Sequence, residues 1–144
     1  MKFESRKDIL FQLFVFGFSI LIIGFILFRS FSNGKFNYEF FWFDVVLLLT
    51  IVFLFWLYLG THYQLSPTEL TYKSGPLRGK IEIYRIKEII KGKNLWSGLK
   101  PATAKNGLII KFDEYEEIYI SPKTNETFVN KILEYNKYIK ITTN

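Results

Sequence analysis

The sequence predicts an α+β protein: a two-helix transmembrane hairpin, then a small antiparallel β domain, barrel or sandwich, capped by one C-terminal helix. Three observations predict it. Two long apolar runs fill the first sixty residues, whereas residues 61–144 have the mixed composition of an ordinary folded domain. Beyond Gly60 apolar and polar residues alternate at the period of strands. Near the end, Phe128, Ile132, Tyr135 and Ile139 recur at i, i+4, i+7 and i+11, the apolar stripe of a helix.

The first run, Ile9 to Phe28, has Gln12 and Ser19 as its only polar members, and the second, Phe40 to Gly60, has Asp44 and Thr50. Twenty helical residues rise about 30 Å, the thickness of a bilayer's hydrocarbon core. Lipid offers backbone groups no hydrogen bonds, so each run is expected to be a helix, over about 9–28 and 40–60. Trp42 at one end of the second run and Trp56 and Tyr58 at the other fit interfacial aromatic belts. A cleaved signal peptide fits the first run poorly, because Arg29-Ser30-Phe31-Ser32-Asn33 offers no good small-x-small site. Lys2, Arg6 and Lys7 precede the first helix, Arg29 and Lys35 lie between the two, and Lys73, Arg78 and Lys80 follow. That bias favours both termini in the cytoplasm. Gly17 and Gly24, seven apart, share a helix face, where small residues let another helix approach; packing within the hairpin is expected, with a dimer contact as the alternative. Asp44 sits near the interface at the same end of the hairpin as Arg29.

The sequence thus divides into an anchor, 1–60, and a domain, 61–144. In the domain, Thr61–Leu65 reads as a strand, Ser66-Pro67-Thr68 as a turn, and Glu69–Ser74 as a second strand that Gly75-Pro76 breaks. Lys80–Ile83 alternates, and the shifted apolar phase through Ile86, Ile89 and Ile90 predicts a bend before another strand. Gly92–Gly107 is polar and irregular. Leu108, Ile110 and Phe112, then Ile118 and Ile120, predict a hairpin turning at Asp113-Glu114-Tyr115-Glu116. Ser121-Pro122 predicts a helix start, with serine as cap and proline in the first turn.

Little chemistry is available. The absence of cysteine excludes disulfides, thiolate metal sites and a cysteine nucleophile. His62 is the only histidine, so no His-rich site forms within one chain. The acids 113, 114, 116 and 117 lack the spaced ligands and fixed glycine of a calcium loop and read as a charged turn. Ser66, Ser97 and Ser121 have no histidine near them in sequence. No catalytic, cofactor or metal site is expected, and the protein is expected not to be an enzyme.

The charge is more informative. The net charge is +6, and Lys73 to Lys105 carries nine basic residues opposed by Glu82 and Glu88 alone. Beside an anionic leaflet each such charge contributes about 1 kcal/mol. The candidate contact residues, for the membrane surface or a partner, are Arg78, Lys80, Lys91, Lys93, Trp96 and Lys100, with Leu95-Trp96 placed to dip into the interface. The alternative is a solvated sheet face with Trp96 as a core lid. No aromatic-basic RNA motif or recognition helix points to nucleic acid.

A strand-rich domain closed by one C-terminal helix is the pleckstrin-homology-like plan, and the chain resembles the YyaB-like family of bacterial PH-like domains. The resemblance is carried by Phe3-Glu4-Ser5-Arg6-Lys7-Asp8, by Ile81-Glu82-Ile83-Tyr84-Arg85-Ile86-Lys87-Glu88-Ile89, and by Ile118-Tyr119-Ile120-Ser121-Pro122 with Phe128. Pro101-Ala102-Thr103-Ala104 departs from the family's Pro-Ala-Leu-Ser. The resemblance implies a non-enzymatic, membrane-anchored interaction module of a bacterial inner membrane, its domain cytoplasmic, whose partner is membrane lipid or a protein or peptide. Some relatives look like immunity proteins against bacteriocins, which gives self-immunity as the alternative function. The sequence does not specify an oligomeric state.

Overall fold

A computed structural model describes residues 1–32, 40–93, 95 and 98–143. The calls on Trp96 and Lys35 fall outside these. The chain forms two compact units, Ile9–Leu59 and Met1–Asp8 with Gly60–Asn144. The division differs from the expected 1–60 and 61–144, because the first eight residues fold with the C-terminal unit.

The helical unit holds α1 (Ile9–Ser32) and α2 (Phe41–Gly60), both long and apolar enough to cross a membrane. Helix α1 runs a turn past its expected end at Phe28. Polar side chains in the helices are answered locally: Ser19 Oγ donates to the Val15 carbonyl at 2.6 Å and Thr50 Oγ1 to Val46 at 2.9 Å. Arg29 pairs with Asp44, and its guanidinium lies 4.9 Å from the Phe40 ring centroid. The helices also meet through Phe16, edge-on to Phe55 at 5.5 Å and to Tyr58 at 5.6 Å.

The glycines do not make the helix contact expected of them. Beyond its own helix backbone, a methyl group added at Gly17 or Gly24 would meet no atom within 4 Å. The buried stripe of α1 is Val15, Ser19 and Ile22. Each glycine lies two residues from a member of it, about 200° around the helix. A seven-residue spacing shows that two glycines share a face, not which way that face points.

The second unit is two four-stranded sheets and a helix. The first sheet has the order β1-β2-β3-β4, all antiparallel, from β1 (Lys2–Glu4), β2 (His62–Leu65), β3 (Glu69–Ser74) and β4 (Leu77–Glu82). The second has the order β7-β6-β5-β8, from β5 (Ile86–Lys91), β6 (Leu108–Phe112), β7 (Glu116–Ile120) and β8 (Lys140–Thr143), with β8 parallel to β5. A single 3-10 turn, Ile83–Arg85, carries β4 into β5. At another corner Ser5 bridges Pro122, joining the two sheets beyond β1 and β7.

Strand β1 was not expected, and it changes the plan. It pairs with β2 through Phe3↔Tyr63, with the two apolar helices between them in sequence. The helical hairpin is therefore inserted between the first two strands of one sheet.

The core lies between the sheets, where Tyr63, Leu65, Leu70 and Ile81 meet Ile89, Leu108, Ile110, Ile118 and Ile120. Helix α3 (Asn125–Tyr135) closes it with Phe128, Val129 and Ile132, and Phe3 stands edge-on to Phe128 at 5.1 Å. A smaller cluster of Ile90, Ile109 and Tyr119 is covered by Leu95 and Ala102 of the loop after β5. That second cover explains the consecutive isoleucines, since strands buried on both faces lose the apolar-polar alternation.

The ends of α3 differ from expectation. The helix begins at Asn125, with Thr124 rather than Ser121 in the capping position. It ends at Tyr135, because Asn136 turns extended; its Nδ2 donates to the Ile83 carbonyl at 3.2 Å and its Oδ1 accepts from the Tyr138 backbone N–H at 3.0 Å. Ile139 is buried outside the helix.

Candidate membrane-facing site

Where the chain passes from β1 toward α1 and from α2 into β2, four buried hydroxyls form one network. Ser5 Oγ lies 3.1 Å from Tyr63 Oη, 2.9 Å from Thr103 Oγ1 and 2.9 Å from Ser121 Oγ. Tyr63 Oη donates to the Pro101 carbonyl at 2.6 Å and accepts from the Ser121 backbone N–H at 3.0 Å. Thr103 Oγ1 donates to the Arg6 carbonyl at 2.7 Å, and the Thr103 N–H reaches Ser121 Oγ at 3.1 Å. Burial pushes the Tyr63 phenol above its ordinary pKa, so it stays protonated and able to donate. A buried polar group without a partner is costly, so satisfied hydroxyls specify one arrangement of the four segments that supply them. Ser5, Thr103 and Ser121 are each about 5% exposed or less, which leaves them no access to a substrate. Two stretches that carry the family resemblance, Phe3–Asp8 and Ile118–Pro122, meet here, with the divergent Pro101–Ala104 between them.

The network fixes one end of the domain, from which both connections to the helices leave. The Ser5 N–H donates to the Thr61 carbonyl at 3.4 Å, and the Asp8 N–H to Thr103 at 3.1 Å. Ser74, at the β3–β4 turn, is buried with its Oγ 2.9 Å from Thr61 Oγ1. By strand register, Lys73 and Arg78 lie opposite each other at this end, beside His62. Lys91 ends β5 opposite Leu108, whose own partner is Ile120, next to Ser121 of the network. The following loop returns to the network at Pro101 and Thr103 and brings Lys93, Lys100 and Lys105 with it.

Four of the six sequence-derived candidates, Arg78, Lys91, Lys93 and Lys100, thus share one end of the domain although they belong to two sheets. Lys80 lies further along β4, 3.5 Å from Glu69, so part of its charge is already answered. Trp96 lies outside the described residues. Sequence reasoning missed Arg6 and Lys7, which β1 brings to the same end. Acids gather at the other ends of the strands: Glu69 opposite Glu82, and Asp113, Glu114 and Glu116 at the β6–β7 turn. There Asp113 pairs with Arg85, whose hydrogen bond holds the carboxyl below its usual pKa. Among the described residues no group of three or more His, Asp or Glu is placed to hold a metal ion.

The sequence pattern of the bacterial PH domain family matches residues 61–136, more than half of the chain. This chain belongs to that family. No curated protein and no solved structure matches the chain. Membership agrees with the PH-like plan expected from the sequence and places the protein among interaction modules whose fold is generally non-catalytic. Strand β1 and the helical hairpin lie outside the matched residues, so this PH domain completes its first sheet with a strand from before the membrane segment.

Proposed function

We propose that this PH domain docks its basic end on the anionic cytoplasmic leaflet of a bacterial inner membrane that its own helical hairpin spans, acting there without catalysis as a surface-bound interaction module. The observation that carries this is the coincidence of charge and connectivity. Arg6, Lys73, Arg78, Lys93, Lys100 and Lys105 collect at the end of the domain from which Asp8 leads into α1 and Thr61 follows α2. Pairing of β1 with β2 supports a hairpin with both ends on one side, and the basic residues flanking both helices favour the cytoplasmic side. Each cation held at the surface contributes about 1 kcal/mol. The tether raises the domain's local concentration, so weak attractions suffice to orient it.

The test is amine footprinting of the full chain in nanodiscs of phosphatidylcholine alone or mixed with phosphatidylglycerol. Lys93 and Lys100 are expected to acetylate more slowly in the anionic discs, while Lys137, after α3, is unaffected. Protection should vanish near about 1 M salt, where the Debye length falls to about 3 Å. Equal rates for all three lysines in both discs would overturn the proposal.

A further inference from the structure

The β3–β4 hairpin protrudes at the tethered end with a composition unlike the rest of that surface. Gly75 and Pro76 make a two-residue turn between Ser74 and Leu77, which face each other in the register. Gly75 adopts a φ of 55°, a conformation such short hairpin turns need and glycine supplies. Leu77 is 44% exposed at the tip, and Pro76 beside it is exposed. At the base, Lys73 and Arg78 are directly opposed and both exposed. Among the described residues neither is ion-paired to a carboxylate. Like charges directly opposite on a sheet destabilise the pair, and an anion held between them relieves that cost. The tip's position along the chain is fixed as well. The buried Ser74–Thr61 hydrogen bond ties it to the residue immediately after the last residue of α2.

We infer that the β3–β4 hairpin is a membrane-inserting finger: Leu77 seats at the boundary of headgroups and acyl chains, while Lys73 and Arg78 hold a lipid phosphate at its base. The inference rests on the docking proposed above and names the element that makes contact. An apolar side chain between cations suits that boundary, since it leaves water while the charges remain among the headgroups. The planar guanidinium of Arg78 takes two phosphate oxygens at once, and the Lys73 ammonium adds a point charge. The occupant is a phospholipid within the bilayer, because the Ser74–Thr61 bond keeps the finger beside the anchor.

The cysteine-free chain allows a direct test. Full-length Leu77→Cys, labelled with an environment-sensitive fluorophore, is placed in nanodiscs of phosphatidylcholine and phosphatidylglycerol containing a lipid quenched at a shallow acyl position. The control is Tyr115→Cys at the β6–β7 turn, 94% exposed at the opposite end of the domain. The label at position 77 is expected to be quenched and blue-shifted, and the one at 115 neither. Pro76→Cys, which leaves Leu77 in place, should report the same. Adding Lys73→Gln and Arg78→Gln should bring the quenching down to the level of the Tyr115 control. Quenching at positions 76 and 77 no greater than at 115, or unchanged in the double glutamine variant, would overturn the inference. Lysine protection retained without this quenching removes the finger alone; loss of both removes the docking as well.

Discussion

At the scale of single residues, the four hydroxyls at the tethered end illustrate what a sequence conceals. Ser121 before a proline looks like a helix cap, and Ser5 and Thr103 look like ordinary polar residues of a strap and a loop. Only contacts across 58 to 116 residues give them their role. Tyr63 is central, because its one oxygen donates to Pro101 and accepts from the backbone of Ser121. Tyr63→Phe keeps the ring and leaves both backbone groups buried without that partner. Stranding buried polar groups costs about 1–3 kcal/mol each, so the variant should lose roughly 2–4 kcal/mol once the neighbouring hydroxyls rearrange. Denaturant unfolding of the reconstituted protein measures this, and a midpoint equal to wild type would show that the neighbours satisfy those groups unaided. The basic residues were legible singly, since charge is a local property. That Arg78 and Lys93 face the same end was not, because they belong to different sheets.

At the scale of elements, period and length decided what could be read. The strands 108–112 and 116–120 and the stripe from Phe128 to Tyr135 were legible because five to eleven residues show a clear alternation or helical spacing. Strands β1 and β8 span three and four residues and show no usable period. They exist because an existing sheet edge offers them hydrogen bonds. The helices pose the converse problem: length and apolarity identify them, but a uniformly apolar surface hides which face is buried. Val15, Ser19 and Ile22 now mark that face, and Gly17 and Gly24 lie away from it. Gly17→Leu and Gly24→Leu should therefore leave the thermal midpoint in detergent unchanged. Ser19→Leu overfills a buried position and should cost about 1–3 kcal/mol. A fall for the glycine variants as large as that for Ser19→Leu would place a second helix on the glycine face.

At the scale of the whole molecule, the decisive feature is discontinuity: one PH domain is assembled from residues on either side of a membrane hairpin. Local patterning cannot reveal it, because the sequence turns from apolar to polar near Gly60 as if the domain began there. Residues 61–144 alone lack β1. They lose Phe3 from its place beside Phe128 and Ser5 from the hydroxyl network, and β2 becomes an open edge. Removing a buried Phe alone costs about 3–5 kcal/mol, against a total of about 5–15 kcal/mol for a folded domain. The fragment is thus expected to be marginal and prone to associate through the bare edge of β2. The contact of Ser5 with Thr61 puts the two sides of the insertion next to each other, so a short bridge can replace the helices. A chain running Met1–Asp8, then about eight glycine and serine residues, which reach at most about 29 Å, then Thr61–Asn144, should fold as a soluble monomer. Circular dichroism in denaturant compares the two. The bridged chain should unfold cooperatively at a higher midpoint than residues 61–144. Coincident transitions would mean that β1 contributes nothing and that the domain is complete without it. A higher midpoint that Ser5→Ala and Phe3→Ala together abolish would trace the gain to the strand itself, because the bridge is present in both chains.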